Sequence, residues 1–457
     1  MKECIIYQVL GKLSGYERVS YTLNNSTYNT FLSSIAIYKY YIENKYNASI
    51  VYICPYSLIE STKGFSDLKD ITNLNLIENK FIESLNKLTD GIKFDILVVN
   101  SIGKYKINNK EIDFNSTPGN ISLQIFFDII NRIDNIRIDN NNVDIIADIS
   151  TGHNLYISPL LDALRAVLVR DKLKNGLKTY VNAKYAISEP ILRNVKKENY
   201  KIFMNEYDVK AFFELPIKKI QNANKIDYYI KTDDKELKKG IVIKTKDISL
   251  KISMLLNNLI LSFNAIKYNT PLVFYTNLIN LEMDEKSIEN ELMALFSDFL
   301  KLKFQDSVLF TYELYSKNIF NLFYSLALYN WIKRKMKFIN KATIKEMESI
   351  FIDDLYKELG LLLNARFLKR ELKSIEIKKD KIQSNWVKLT EIFKDEEYIE
   401  SNKEIEKYGS DEKRNFFAHS GLLKNIVLVK KEDEEIEFKY DDKSLNYVRK
   451  WLLKPEN

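Results

Sequence analysis

Only two histidines occur in the 457 residues, His153 and His419, and the two cysteines, Cys4 and Cys54, have no CxxC spacing. That scarcity removes most metal chemistry, since there is no HExxH, no His-Asp cluster and no zinc-finger pattern. No GxxxxGK[ST], no GxGxxG behind a strand and no GxSxG elbow is present, so P-loop, dinucleotide and serine-hydrolase readings lack their central element. What remains is imidazole near guanidinium. His419 closes the string Arg414-Asn415-Phe416-Phe417-Ala418-His419, with Ser410 or Asp411 able to cap a short helix and Gly421 able to end it. Imidazole suits proton transfer near neutral pH, and guanidinium suits a phosphate oxygen or a pentacovalent transition state. Together they suffice to cleave RNA without metal, the 2′-OH attacking its own phosphate and leaving a 2′,3′-cyclic phosphate. Five helical residues turn through about 140°, so Arg414 and His419 of one chain diverge. One compact site forms most easily when a second copy adds its own pair across a two-fold axis. The plainer alternative is a helix that buries Phe416 and Phe417 while Arg414 and His419 merely cap or pair.

His153 lies in Asp148-Ile149-Ser150-Thr151-Gly152-His153-Asn154, after an apolar run and before a helical pattern. Small and hydroxyl residues there leave backbone N–H groups exposed at a helix start, which suits an anion. The place is also where open α/β sheets bind ligands, beyond the carboxyl end of a strand. The plainer reading makes Thr151 or Asn154 a cap and Gly152 a tight turn. The same edge presents Gly11 after the first strand, Pro55-Tyr56-Ser57 after the second, and Asn100-Ser101-Ile102-Gly103 after the third. Four small, polar strand ends favour a phosphate or nucleotide pocket. With no matched general acid and base, that pocket suggests sensing rather than chemistry.

The elements that must position these residues follow from periodicity. Cys4–Leu10, Ser49–Ile53, Phe94–Asn100, Val143–Asp148 and Lys178–Asn182 read as strands. Helical spacing separates them, over 26–43, 76–88, a segment that Asn120 can cap, and Leu155–Leu173. Strands without alternation, divided by helices, predict a parallel sheet covered on both faces, the doubly wound α/β class. The polar stretch 103–119 reads as a surface hairpin or loop. From 191 to about 248 the pattern is irregular and Lys-rich. Beyond it come helices over 248–268, 286–302, 313–338, 343–359, 361–379 and 411–420, then a small hairpin over 424–439 and a terminal helix, Ser444–Leu453. The expected organisation is a Rossmann-like parallel-sheet domain over 1–190, a linker or small module over 191–247, and a mainly α-helical domain with a small β element over 248–457.

Composition sets the outer bounds. With 46% hydrophobic and 29% charged residues the chain is globular rather than disordered. A formal charge of +7 permits nucleic-acid binding without demanding it. The two cysteines sit in apolar runs and read as small buried hydrophobes of a reducing cytosol. The opening apolar run is only seven residues long, contains Gln8 and has no small-residue cleavage site, so it reads as a strand, not a signal peptide. The windows Ile252–Ile266 and Ile319–Ile332 are broken by Asn and Ser, and no bilayer span is expected. A soluble, cytoplasmic protein is the expectation.

At this point the sequence resembles a known family. The Asp148–Asn154 string resembles the nucleotide-sensing loop of CARF domains, and Arg414–His419 resembles the R-x4-H signature of HEPN ribonucleases. Sensor first and helical nuclease last is similar to the Csx/Csm-type ancillary ribonucleases of type III CRISPR systems, the Csx-type branch above all. The resemblance implies a homodimer or higher assembly that binds a cyclic oligoadenylate across two sensor domains. It implies in turn an activated, metal-independent endoribonuclease that cleaves single-stranded RNA at a composite dimer site and needs no other cofactor. On the motif match Arg414 and His419 are catalytic, with Asn415 supporting them. Ser150, Thr151, Gly152, His153 and Asn154 contact the ligand, joined by Gly11, Ser101 and Gly103 at the neighbouring strand ends. An even ring has two-fold symmetry, which favours cyclic tetra-adenylate. The rival from another class is a ligand-responsive nucleic-acid-binding regulator, with the basic 191–248 stretch on DNA and Arg414 and His419 structural.

Overall fold

The structure, a computed structural model, describes residues 2–61, 73–107, 110–136, 142–151, 154–191, 198–218, 220–232, 234–305, 308–393 and 410–455. The chain forms two compact units. The first comprises Met1–Phe212, Lys225–Ile248 and Glu289–Tyr324; the second comprises Phe213–Asn224, Ser249–Ile288 and Ser325–Asn457.

The first unit is built on an eight-stranded sheet. Its strands are β1 (Lys2–Val9), β2 (Val19–Leu23), β3 (Ser26–Thr30), β4 (Tyr46–Pro55), β5 (Asp95–Val99), then β8 (Val143–Asp148), β9 (Val181–Ser188) and β10 (Tyr200–Glu206), with the hairpin β6 (Gly103–Ile107) and β7 (Lys110–Asn115) outside it. Every residue from Cys4 to Val9 and from Val143 to Asp148 is buried, because helices cover both faces of these strands. The order is β3-β2-β10-β9-β8-β1-β4-β5. Its central five strands, β9 to β5, are parallel, with Ile6 opposite both Ile50 and Ile146. The direction of winding reverses between β1 and β8. The helices are α1 (Ser33–Glu43), α2 (Leu74–Leu85), α3 (Pro118–Ile136) and α4 (Asn154–Lys174). In α3 the expected stripe of Ile121, Ile125, Phe126, Ile129 and Ile130 is buried. The expected α/β class with a parallel core is therefore present, widened by antiparallel neighbours.

Several local expectations change. The 26–43 helix begins only at Ser33, because Ser26–Thr30 pairs with Val19–Leu23 in a hairpin turned by Asn24, whose φ is +54°. Asn120 is not a cap. Thr117 Oγ1 accepts from Asn120 N at 3.1 Å, while the buried Asn120 amide donates to Thr311 Oγ1 (2.9 Å) and the Tyr312 carbonyl (2.8 Å). The expected hairpin forms, from Gly103–Ile107 and Lys110–Asn115, but not as a surface element: β7 pairs with Val308–Phe310 in a second, four-stranded sheet, and Ile107, Ile112 and Phe114 are buried. The 191–248 stretch supplies β10, which pairs with β9 and β2.

The second unit is helical. It contains Leu362–Glu376, Ser410–Ala418, Leu445–Leu453 and a run from Ile344 that passes through a π-helical stretch, Glu348–Leu355. Val387–Lys388, Val427–Glu432 and Glu435–Tyr440 form its small antiparallel sheet. Helix Lys246–Lys267 is, contrary to expectation, long and apolar enough to cross a membrane. However, 67% of its most apolar window is buried inside the protein, as in a core helix of a globular domain.

Candidate ligand-binding and ribonuclease sites

Where the winding reverses, at the carboxyl ends of β1 and β8, polar side chains are buried within the sheet edge. Gln8, Ser33, Ser34 and Asp148 are all fully buried. Ser33 Oγ donates to Asp148 Oδ2 at 2.6 Å, and Ser34 Oγ donates to Gln8 Oε1 at 2.5 Å. Gln8 Nε2 donates to Thr151 Oγ1 at 3.0 Å, and the Thr151 hydroxyl donates to the Val9 carbonyl at 3.0 Å. Ser150 gives Asp148 Oδ1 both its amide (3.0 Å) and its hydroxyl (2.5 Å), and Ser150 Oγ accepts from Ser188 N at 2.8 Å. Burial pushes the Asp148 carboxyl up, and the donors on Ser150 and Ser33 offset only part of that rise. The loop after β8 thus starts from a fixed frame. A hydroxyl read as a possible helix cap, that of Thr151, is tied instead to β1.

The other strand ends join this frame in part. Gly11 N donates to the Tyr16 hydroxyl at 3.0 Å, and that hydroxyl also lies within reach of Thr151. Gly11, Ser150 and Thr151 are therefore brought together. Ser101 belongs to a second group: it is fully buried, and its Oγ accepts from Ser57 N at 2.8 Å and donates to Ser57 Oγ at 3.2 Å. Tyr156, from the first turn of α4, buries its hydroxyl beside Ser101 and Ser57 without a well-formed hydrogen bond. Gly103 opens β6 with a φ of +101°, and Asn154 is the exposed first residue of α4. Gly152 and His153 lie outside the described residues. Sequence reasoning missed the inner members, Gln8, Tyr16, Ser33 and Ser34. The one signal was Gln8, a lone amide in an apolar strand.

In the second unit Arg414 and Asn415 are exposed on helix Ser410–Ala418, and Phe416 between them and His419 is fully buried. Phe416 packs on Trp451, with ring centres 5.2 Å apart, and this fixes which face the helix turns outward. His419 follows the last helical residue and keeps the bond from its amide to the Asn415 carbonyl, at 3.0 Å. The helix then closes in a Schellman turn. Gly421 N donates to the Phe416 carbonyl (2.8 Å) and Ser420 N to Phe417 (3.4 Å), with φ of +56° at Ser420 and +74° at Gly421. Only glycine fits at 421. A Cβ there would meet Thr270 Cβ and the Tyr440 hydroxyl, each at 2.9 Å. Asn269 Nδ2 donates to Ser420 Oγ (2.8 Å) and to the Asn364 carbonyl (3.1 Å), tying the turn to the next helix, Leu362–Glu376.

That helix supplies a partner absent from the sequence reading. Glu371 Oε2 lies 3.4 Å from His419 Nδ1, with the glutamate side chain 16% and the imidazole 41% exposed. Burial by itself would raise the Glu371 carboxyl. His419 and, after it, Arg370 outweigh this and hold it below its ordinary value of 4.5. An imidazole that donates Nδ1–H to a carboxylate presents Nε2 for proton transfer. Nothing linear marks Glu371, which is 48 positions away from His419 in the chain. Among the described residues no three His, Cys, Asp or Glu side chains form a metal-holding group.

Polar strand ends gathered where the winding of an α/β sheet reverses, followed in the chain by a helical unit that brings arginine, asparagine and histidine to one short helix and its closing turn, define a class, the CARF–HEPN proteins, which are CRISPR-associated ligand-sensing ribonucleases. Residues 5–190 match the family model of the CARF domain of the CRISPR system endoribonuclease Csx1, and residues 362–443 match that of its HEPN domain. The two matches stand in the expected order and together cover more than half of the chain. The chain belongs to this Csx1-type family. The first match takes in both groups of strand-end residues; the second begins where helix Leu362–Glu376 begins and takes in Glu371, Arg414, Asn415 and His419. No curated protein sequence matches the chain.

Proposed function

We propose that the chain is a cyclic-oligoadenylate-activated, metal-independent endoribonuclease of type III CRISPR defence that cleaves single-stranded RNA in the cytoplasm. The carrying observation is the exposed Arg414 beside a half-exposed His419 whose imidazole is held against Glu371. In this reading Arg414 steadies the phosphate, His419 moves the proton of the attacking 2′-OH or of the leaving 5′-oxygen, and Asn415 supports them. Glu371 positions the imidazole. Guanidinium and imidazole together supply charge stabilisation and proton transfer, so the reaction needs no metal. The divergence of Arg414 and His419 along one helix supports a composite site between two copies.

Residues 1–190 act as the sensor, 191–247 as an intermediate module and 248–457 as the helical part that carries the nuclease. Gly11, Ser101, Gly103, Ser150, Thr151, Gly152, His153 and Asn154 contact the activator. The frame that holds Ser150 and Thr151 supports this role, because groups already fixed before binding lose no further ordering entropy. Two copies of the pocket across a two-fold axis match an even ring, so cyclic tetra-adenylate is the favoured activator, one per dimer.

The test is cleavage of a labelled single-stranded RNA in EDTA, with and without cyclic tetra-adenylate, followed by analysis of the product ends. Activator-dependent cleavage to 2′,3′-cyclic phosphate ends is expected. Loss of activity on chelation, restored by magnesium or manganese, sinks the mechanism. RNA bound but never cut would favour the regulator instead.

A further inference from the structure

A cavity of about 780 Å³ opens in the second unit, within the size range of small-ligand sites. Its inner wall is aromatic, with Phe213 stacked on Phe263 at a ring separation of 4.7 Å. Its rim is basic. Lys218, Lys267 and Lys454, all exposed, stand against one carboxylate, Glu214, among the described lining residues. Asn257, half-buried, adds an amide.

Two independent ties join this cavity to the helix of Arg414 and His419. Tyr268, on the cavity wall, packs against Phe417 with ring centres 5.2 Å apart. The next residue, Asn269, donates to Ser420, which follows His419. On the other side Lys413, the neighbour of Arg414, donates to the Lys454 carbonyl at 2.7 Å. The wall of the cavity and the turn of His419 are thus distant in the chain but bonded in space.

An aromatic-walled cavity with an amide inside and cations at the mouth is complementary to a nucleotide, base inward and phosphates outward. Neither the Arg414–His419 pair nor the sensor pocket accounts for it. We infer that this cavity seats one nucleotide of the RNA strand close to the scissile phosphate. Lys218, Lys267 and Lys454 hold its backbone, and Asn257 meets the edge of its base. The inference rests on the ribonuclease reading above and extends it to a substrate subsite.

The test uses the full-length protein, cyclic tetra-adenylate and a fluorescent single-stranded RNA. Asn257→Trp fills the cavity, and the double variant Lys218→Glu/Lys454→Glu reverses its rim. Base stacking is worth roughly 1–3 kcal/mol, so Asn257→Trp is expected to raise KM about 5- to 150-fold with kcat retained. In a His419→Ala background, which binds without cutting, the charge reversal is expected to weaken RNA affinity. The slope of log affinity against log salt should fall by about 0.7 for each phosphate that the rim no longer neutralises. Lys218→Arg/Lys454→Arg should restore both. If the wild type cleaves while KM, affinity and salt slope are unchanged in these variants, the subsite is overturned and the ribonuclease reading stands. A fall in kcat at unchanged KM also overturns it, since the cavity would then only prop the catalytic helix. No cleavage by the activated wild type removes the ribonuclease reading and the subsite together. Should Asn257→Trp fail to fold, the charge reversal, confined to exposed side chains, decides the question alone.

Discussion

His419 is the one imidazole that the second unit has, and it sits half-exposed against a carboxylate. If it transfers the proton, His419→Ala should lower kcat by about 10²–10⁴-fold while activator affinity stays at the wild-type level. Full cleavage by this variant would remove the assignment. Glu371 makes a finer prediction, because it lies against His419 and in the proposed mechanism acts only through it. Glu371→Gln should lower kcat up to about 10²-fold with KM kept, and Glu371→Asp should recover part of it. The same residue gives a pH signature. Its folded carboxyl is depressed below 4.5, so the ionised form is favoured by folding. That stabilisation is complete above the ordinary carboxylate value and is lost as the pH falls through the depressed one. The difference in melting temperature between wild type and Glu371→Gln should therefore be steady at mildly acidic pH and close as the pH drops below about 4.5.

Among the elements, the turn after helix Ser410–Ala418 holds the geometry proposed for catalysis. Gly421→Ala adds a Cβ at a φ of +74° and drives it into Thr270 and Tyr440. Strain of this kind costs about 1–3 kcal/mol. Denaturant unfolding should register that loss, and kcat should fall because Ser420 and His419 shift with the turn. At the other end of the chain the loop between β8 and α4 makes the opposite case. Replacing Gly152 with a bulky residue should crowd the approach of the activator and raise the concentration needed for half-activation. Maximal cleavage at saturation should remain, since the residues proposed for cleavage belong to the other unit. Unchanged activation would remove this loop from the ligand site.

For the whole molecule the prediction concerns stoichiometry. In the proposed dimer a pocket made from two copies of Gly11, Ser150 and Thr151 would take one two-fold symmetric ring, so calorimetric titration with cyclic tetra-adenylate should end at one ligand per dimer. One ligand per monomer would count against a shared pocket. Chelation bears on the same assembly, because activity in EDTA is expected of every composite site built from Arg414 and His419. The helical half of the molecule also contains the cavity behind Tyr268, and its variants separate RNA seating from chemistry as described above.

The linear pattern determined what short-range physics can encode. Unbroken apolar runs such as Ile50–Cys54 must be covered on both faces, so the parallel α/β core was legible, as were the long amphipathic helices. The rarity of histidine made Arg414–His419 legible too, because few residue types can move a proton near neutral pH. Tertiary packing decided the rest. The Ser26–Thr30 strand escaped notice because its local spacing also fits a helix, and only pairing with Val19–Leu23 settles it. Asn120 looks like a cap in sequence, yet its amide serves residues almost two hundred positions away. Glu371 meets His419, and Ser33 meets Asp148, across 48 and 115 positions respectively. Pairings of that separation leave no period or spacing in the chain, since they exist only once the apolar elements have packed and brought their polar ends to the same place.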